Sequence, residues 1–301
     1  MRKHVALAVA VLGGGAVLAA SWAGPAQAQA RSAAPLAADV TTAAPLVAGL
    51  TTTGDLVVFR ADRPGDVNRA GRISGLKGDR KAVGIDYRVQ NGKLYAVGDK
   101  GGVYTLDSRA RATKVSQLTV ALKGKTFGVD FNPAANRLRV ISDTGQNLRH
   151  NLDDPNGAPA RGKTAADGTL TNPPVPPATT GATATGVTAA AYTNNDLNAA
   201  TATTLFDLDT MGDQVSAQSP ANAGNLAPTG KLGVDAATDA GFDIYSMLRN
   251  GVTVSNTPYA TIKVRGAYRF YTVNALTGMA HLVGTFPAGR QVSDIAVQLD
   301  R

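Results

Sequence analysis

Residues 128–153 read GVDFNPAANRLRVISDTGQNLRHNLD. A Gly-apolar-Asp-aromatic start runs into an Asn-Pro turn, then a short strand (RLRVIS), an Asp-Thr-Gly turn and a further strand. Apolar runs of this length bounded by turn formers are the mark of β-strands. The same parts recur along the chain. GIDYR at Gly84 is followed by VYTLD at Val103, an offset of 19, and GVDFN at Gly128 by LRHNLD at Leu148, an offset of 20. A third copy runs from Gly186 to LFDLD at Leu205, with the place of the Asp taken by Thr188 or by an alanine of AAYTN. The fourth, GFDIY at Gly241, reaches FYTVN at Phe270 after 29 residues because a polar loop around Asn250 to Pro258 intervenes.

The copies start 44, 58 and 55 residues apart. In an all-strand chain such a period implies the blades of a propeller or the rungs of a repeat sheet. The ends supply one more unit: VSDIAVQLD from Val292 is a repeat start with nothing after it, and LVVFRADRPG from Leu56 is a repeat continuation with no start. Joining them closes a ring and removes the sheet edges that invite aggregation. The expected fold is therefore an all-β propeller of five blades, its last strand completing the first blade. The Pro/Thr/Gly/Ala-rich stretch 172–186 is expected to be a long surface loop.

Composition agrees. All 22 acidic residues are Asp, Gly (33) and Pro (15) are plentiful, and the chain is 44% hydrophobic but only 17% charged. A chain without Glu and rich in turn formers is a poor candidate for a helical fold, and it is too apolar for disorder. Arg2, Lys3 and His4, the apolar stretch Val5 to Ala20, and the small residues at Ala26–Ala30 form a secretory signal peptide, 1–30, cleaved near Ala28 to Ala30. Residues 31–49 read as a flexible leader and 50–301 as the folded domain. No later window holds the roughly 20 apolar residues that span a bilayer, so a secreted or extracytoplasmic monomer is expected. Cysteine is absent, which excludes disulfides, thiolate metal sites and cysteine nucleophiles. The formal net charge of +8 suits anionic envelope polymers, and nucleic acid is not the expected partner.

Several of these runs (GIDYR, LYAVG and VYTLD; FGVDFNP and NRLRVISDTGQNLRHN; the Asp-Gly pair at Asp167; AYTNN, TTLFDLDT and GFDIY) resemble a bacterial exported family known as domain of unknown function 4394. The likeness covers about Leu50 to Leu299 and implies a secreted propeller-like domain with no assigned activity and no catalytic residues to transfer. The chain departs from the family pattern at Asn136, where an acidic residue is usual, and at Phe206, where Tyr is usual.

Two residue sets could carry chemistry. Asp86, Asp130, Asp243 and Asp294 share one place in the repeat, beside the channel of a propeller, where a carboxylate ring could hold Ca²⁺ with help from Asn132. The competing reading is that each Asp fixes backbone amides, since the third copy lacks it. In the second copy Arg137, Arg139, Asn147 and Arg149, with Asn151 beside them, stand where other copies carry apolar residues. Guanidiniums with amide side chains make a fork for carboxylate, sulfate or phosphate. Alternatively these arginines pair with Asp143, Asp153 and Asp154 and seal one blade on its neighbour. His150 and His281 lack metal-ligand spacing and are expected to be structural. GxSxG, P-loop and HExxH motifs are absent, so no organic cofactor is expected and an enzymatic role is left open. The leading expectation is a secreted binder of an anionic saccharide or cell-envelope polymer. The alternatives are a metal-assisted hydrolase using the Asp ring and an extracellular protein-interaction scaffold.

Overall fold

The computed structural model describes residues 43–300. The signal peptide and most of the leader lie outside the described residues. Five four-stranded antiparallel sheets follow one another. Blade one holds β1 (Leu46–Thr51), β2 (Asp55–Arg60) and β3 (Arg63–Arg72), and blade two holds β4 (Ala82–Arg88), β5 (Lys93–Gly98), β6 (Gly102–Leu106) and β7 (Ala112–Gln117). Blade three is β8 (Phe127–Asn132), β9 (Arg137–Ser142), β10 (Asn147–His150) and β11 (Thr164–Ala166). Blade four is β12 (Val187–Tyr192), β13 (Leu205–Asp209), β14 (Gln214–Gln218) and β15 (Leu226–Lys231). Blade five is β16 (Ala240–Arg249), β17 (Val252–Val264), β18 (Ala267–Val273) and β19 (Ala280–Thr285). The last strand, β20 (Val292–Val297), pairs with β1 from Val47↔Val297 to Thr51↔Val292 and becomes the inner strand of blade one.

The ring of five blades closed by the C-terminal strand is thus the observed architecture. Its inner strands β20, β4, β8, β12 and β16 touch in a closed circle. They crowd at the axis, and this accounts for the repeated Gly of the Gly-apolar-Asp start. A Cβ on Gly128 would stand 2.6 Å from the Ala190 nitrogen, and one on Gly84 would stand 2.3 Å from Val129. Only glycine permits that approach.

The core is divided among the five seams between blades, one apolar cluster in each. Where blade five meets blade one, Phe270 meets the edge of Phe59 with ring centroids 5.1 Å apart and stacks on Tyr259 at 5.3 Å. Each such ring contributes about 1.5–3 kcal/mol by leaving water.

Two sequence readings are corrected. Folding begins at Leu46, not near Leu50, because LVAGLT forms β1; its small residues had merged with the Ala/Pro/Thr-rich leader. The third repeat takes the AAYTN register: the Tyr192 N–H meets Asp130 as the Phe131 N–H meets Asp86, which puts Ala191 in the place of the Asp. Residues 172–186 contain no strand, and Val175 there is exposed.

Candidate functional site

The four repeat aspartates reach from one inner strand to the next. Asp294 accepts the Ile85 N–H (2.8 Å), Asp86 that of Phe131 (2.7 Å), Asp130 that of Tyr192 (3.2 Å) and Asp243 that of Val297 (2.5 Å). Four of the five seams are tied in this way, and Ala191 leaves the fifth without a tie. The second oxygens of Asp86 and Asp243 accept the N–H groups of Tyr87 and Ile244. Asp86, Asp130 and Asp243 also place one oxygen each within 4.8 Å of one another, while Asp294 stands apart from this trio. Burial raises all four carboxyls, Asp243 to about 7, and like charge adds to the rise at Asp86 and Asp130. Three carboxylates so placed retain a proton among them unless a cation balances them. Asn132 turns its Oδ1 to the Ala135 N–H rather than to the trio.

Blade three gathers the arginines at a cavity of about 230 Å³, bordered also by Tyr192 and Asn222. Their donors point inward to protein. Arg139, 2% exposed, donates to Asp167 (2.7 Å), Asn147 (2.7 Å), Asn222 (2.8 Å) and the Tyr192 hydroxyl (3.2 Å). Arg149 straddles Asp167 at 3.1 and 3.2 Å. Arg137 binds Asp154 (2.9 Å) and the carbonyls of Ala135, Asn136 and Ala158. The Asn147 amide donates to the carbonyls of Gly168 and Ala221. Of the acceptors expected from sequence, only Asp154 meets one of the three arginines. Asp153 pairs instead with Arg88 of β4, and Asp143 takes the Lys125 N–H. Asp167, which the sequence reading had not assigned as an acceptor, carries the network. His150 is buried between the hydroxyls of Ser116 (2.8 Å) and Thr164 (3.0 Å), and burial lowers its pKa to about 4. His281 is exposed.

A third place emerges only in three dimensions. Where the inner strands begin, a cavity of about 380 Å³ opens, with Asp294 and Asp239 among its walls. Exposed Arg72, Arg80, Lys81 and Lys125 surround it, and Thr51, Thr52, Thr53, Thr126 and Ser293 supply hydroxyls. Arg80 pairs with Asp99 at 3.2 Å, but Arg72, Lys81 and Lys125 have no side-chain hydrogen bond or ion pair among the described residues. Asp239 accepts the Tyr268 hydroxyl, and its carboxyl is raised by burial. The sequence holds only a trace of it: Lys81 and Lys125 each stand three residues before the Gly that opens a repeat, a spacing that does not by itself mark a site.

The fold and these sites define a five-bladed β-propeller with a basic channel mouth and a carboxylate-tied axis. The chain belongs to the family described as domain of unknown function (DUF4394), whose model matches residues 55–296. No curated protein matches it. Among solved structures it is similar to PorZ, an essential bacterial surface component of the type-IX secretion system of Porphyromonas gingivalis (19% identity, 76% of this chain, 25% of that one, TM-score 0.36). It is also similar to an auxiliary nutrient binding protein from Bacteroides thetaiotaomicron (10% identity, 84% of this chain, 64% of that one, TM-score 0.43). A protein of unknown function from the same bacterium matches at 13% identity over 85% of this chain and 67% of that one, with TM-score 0.42. The chain thus spans about a quarter of PorZ and under two thirds of the nutrient binding protein. Likeness at this level carries neither ligand nor activity across. Among the described residues no helix is long and apolar enough to cross a membrane.

Proposed function

We propose that the protein is an exported binding propeller that takes a small anionic, hydroxyl-rich ligand, an acidic saccharide or envelope-polymer fragment, at the basic channel mouth. The observation that carries this reading is the contrast between two sets of cations. The blade-three arginines spend their donors on Asp154, Asp167 and carbonyls, whereas Arg72, Lys81 and Lys125 surround a cavity and make no side-chain hydrogen bond or ion pair among the described residues, Lys81 and Arg72 feeling only the charges of Asp239 and Asp55. Threonine and serine hydroxyls beside them match a sugar's hydroxyl groups, and the volume falls in the range of small-molecule sites. Export rests on the N-terminal signal read in the sequence. The interaction-scaffold alternative expects an apolar patch without a cavity, and the mouth weighs against it.

Calorimetric titration with oligogalacturonate tests the proposal. The Lys81→Ala/Lys125→Ala variant is expected to bind at least about tenfold more weakly, since each charge-assisted contact is worth about 1.5–3 kcal/mol. Unchanged affinity there, with a loss in Arg149→Gln, would move the site to blade three. A second reading keeps Asp86, Asp130 and Asp243 as a Ca²⁺ site serving hydrolysis, favoured by oxygens within 4.8 Å of one another. Ca²⁺ binding abolished by Asp130→Asn is the outcome it requires.

A further inference from the structure

The seam between blades three and four contains a buried acid that neither the ties nor the arginine network uses. Asp207 on β13 is fully buried, and neither of its carboxylate oxygens has a hydrogen-bond partner. The hydroxyls of Ser216 and Thr188, also fully buried, are orphaned in the same way. Native interiors hold few such groups, because each one left without a partner costs about 1–3 kcal/mol.

The register brings these groups together. Asp207 stands opposite Ser216 on β14 and opposite Ala190 on β12, while Thr188 falls in the bulge that shifts the β12 pairing between Val187 and Ala189, next to Asp209 and Leu208. Directly opposed residues have Cβ atoms about 4.5–5.5 Å apart. None of these oxygens bonds another, and the direct opposition of Asp207 and Ser216 lets one small ligand serve both.

Charge decides what kind of ligand. Burial pushes the Asp207 carboxyl well above the usual range, and Asp209, two residues on, adds like charge. Asp209 is already engaged by the N–H groups of Met211 and Gly212. The Arg139 guanidinium is near enough to oppose the rise, but its donors go to Asp167, Asn147, Asn222 and Tyr192. A protonated Asp207 would still lack an acceptor for its O–H, whereas a cation satisfies the charge and the hydroxyl lone pairs at once. The donor set is oxygen alone, the preference of a hard cation.

We propose that this seam binds a calcium-class cation through Asp207, with the hydroxyls of Ser216 and Thr188 as further ligands. The site is distinct from the axial trio and independent of ligand binding at the mouth.

The test is the melting temperature of the EDTA-treated protein titrated with CaCl₂. A rise of about 5–10 °C at a hundred times the dissociation constant is expected in the wild type. It should vanish in Asp207→Asn and survive in Asp130→Asn. No rise in the wild type would mean that water serves these oxygens and would overturn the proposal. So would a rise that persists in Asp207→Asn, or one lost in Asp130→Asn alone, which would place the cation on the axis. Should Asp207→Asn not fold, Ser216→Ala decides: a tenfold or greater loss of Ca²⁺ affinity is expected, and unchanged affinity overturns the assignment.

Discussion

Two seams of one ring are held by different means. Between blades five and one, Phe59, Phe270 and Phe286 pack edge to face with centroids 5.1 to 6.2 Å apart, and Tyr259 stacks on Phe270. Between blades three and four, Arg139 occupies the middle with Asp167, Asn147, Asn222 and Tyr192 around it. The strand geometry is the same. The aromatic seam is held by area and shape, so its energy is spread over many weak contacts and a similar apolar side chain loses only part of it. The polar seam adds to its own apolar cluster a set of matched donors and acceptors around Arg139, and losing one member of that set leaves others without a partner.

The largest expected effect concerns the aromatic seam as a whole. Deleting 292–301 removes β20, with Val292, Ile295 and Val297 from that cluster, and bares the edge of β1. The truncated protein is expected to aggregate or fail to fold, and melting like the full-length chain would refute ring closure. Next, Arg139→Met should destabilise by about 3–5 kcal/mol, because a buried ion pair is broken, the buried Asn147 oxygen loses its donor and Asp167 keeps only Arg149. That corresponds to a melting temperature roughly 6–20 °C lower. Phe270→Leu on the other seam should stay within about 0.5–3 kcal/mol. Urea denaturation of both variants measures the difference, and equal costs would erase the distinction between the seams.

The smallest effect is a slope with pH. His150 stays neutral in the fold down to about pH 4, against 6.5 in the unfolded chain, so its contribution is complete above 6.5 and is lost as pH falls toward 4. Asp243 runs the other way. Its carboxyl holds a proton up to about pH 7 in the fold, so that contribution is lost as pH rises from about 4 through 7. The other raised axial carboxyls share this sign, and the two trends oppose each other. Replacing His150→Gln should make stability fall more steeply with rising pH between 4 and 7. Melting curves across that range check the claim, and an unchanged slope would mean that His150 is not the opposing group.

Much of the ring was legible because its grammar is local. Gly-apolar-Asp starts, turn formers and apolar strands recur within a few residues, and the split repeat at the two ends told of closure. β1 escaped because LVAGLT has no aromatic residue and no Asp of the repeat start, and borders an Ala/Pro/Thr-rich stretch. The partners of the arginines were legible only in part, since nearness in sequence favoured Asp153 over Asp167, while the fold sends Asp153 to Arg88. The mouth was hidden for the opposite reason. Arg72, Lys81 and Lys125 are unremarkable singly and become one site only when loops from different blades converge. Asp207 looked like an ordinary strand residue in LFDLD, and only the third dimension reveals that its oxygens have no partner.

The closing strand also sets the order in which the molecule can be finished. The Ser293 hydroxyl meets the Leu50 carbonyl, 243 positions earlier, and Arg290 reaches the Val67 carbonyl across 223. Blade one therefore stays incomplete until β20 joins β1. Contacts so remote in sequence form slowly, so the first blade is the last to be completed as the described domain folds.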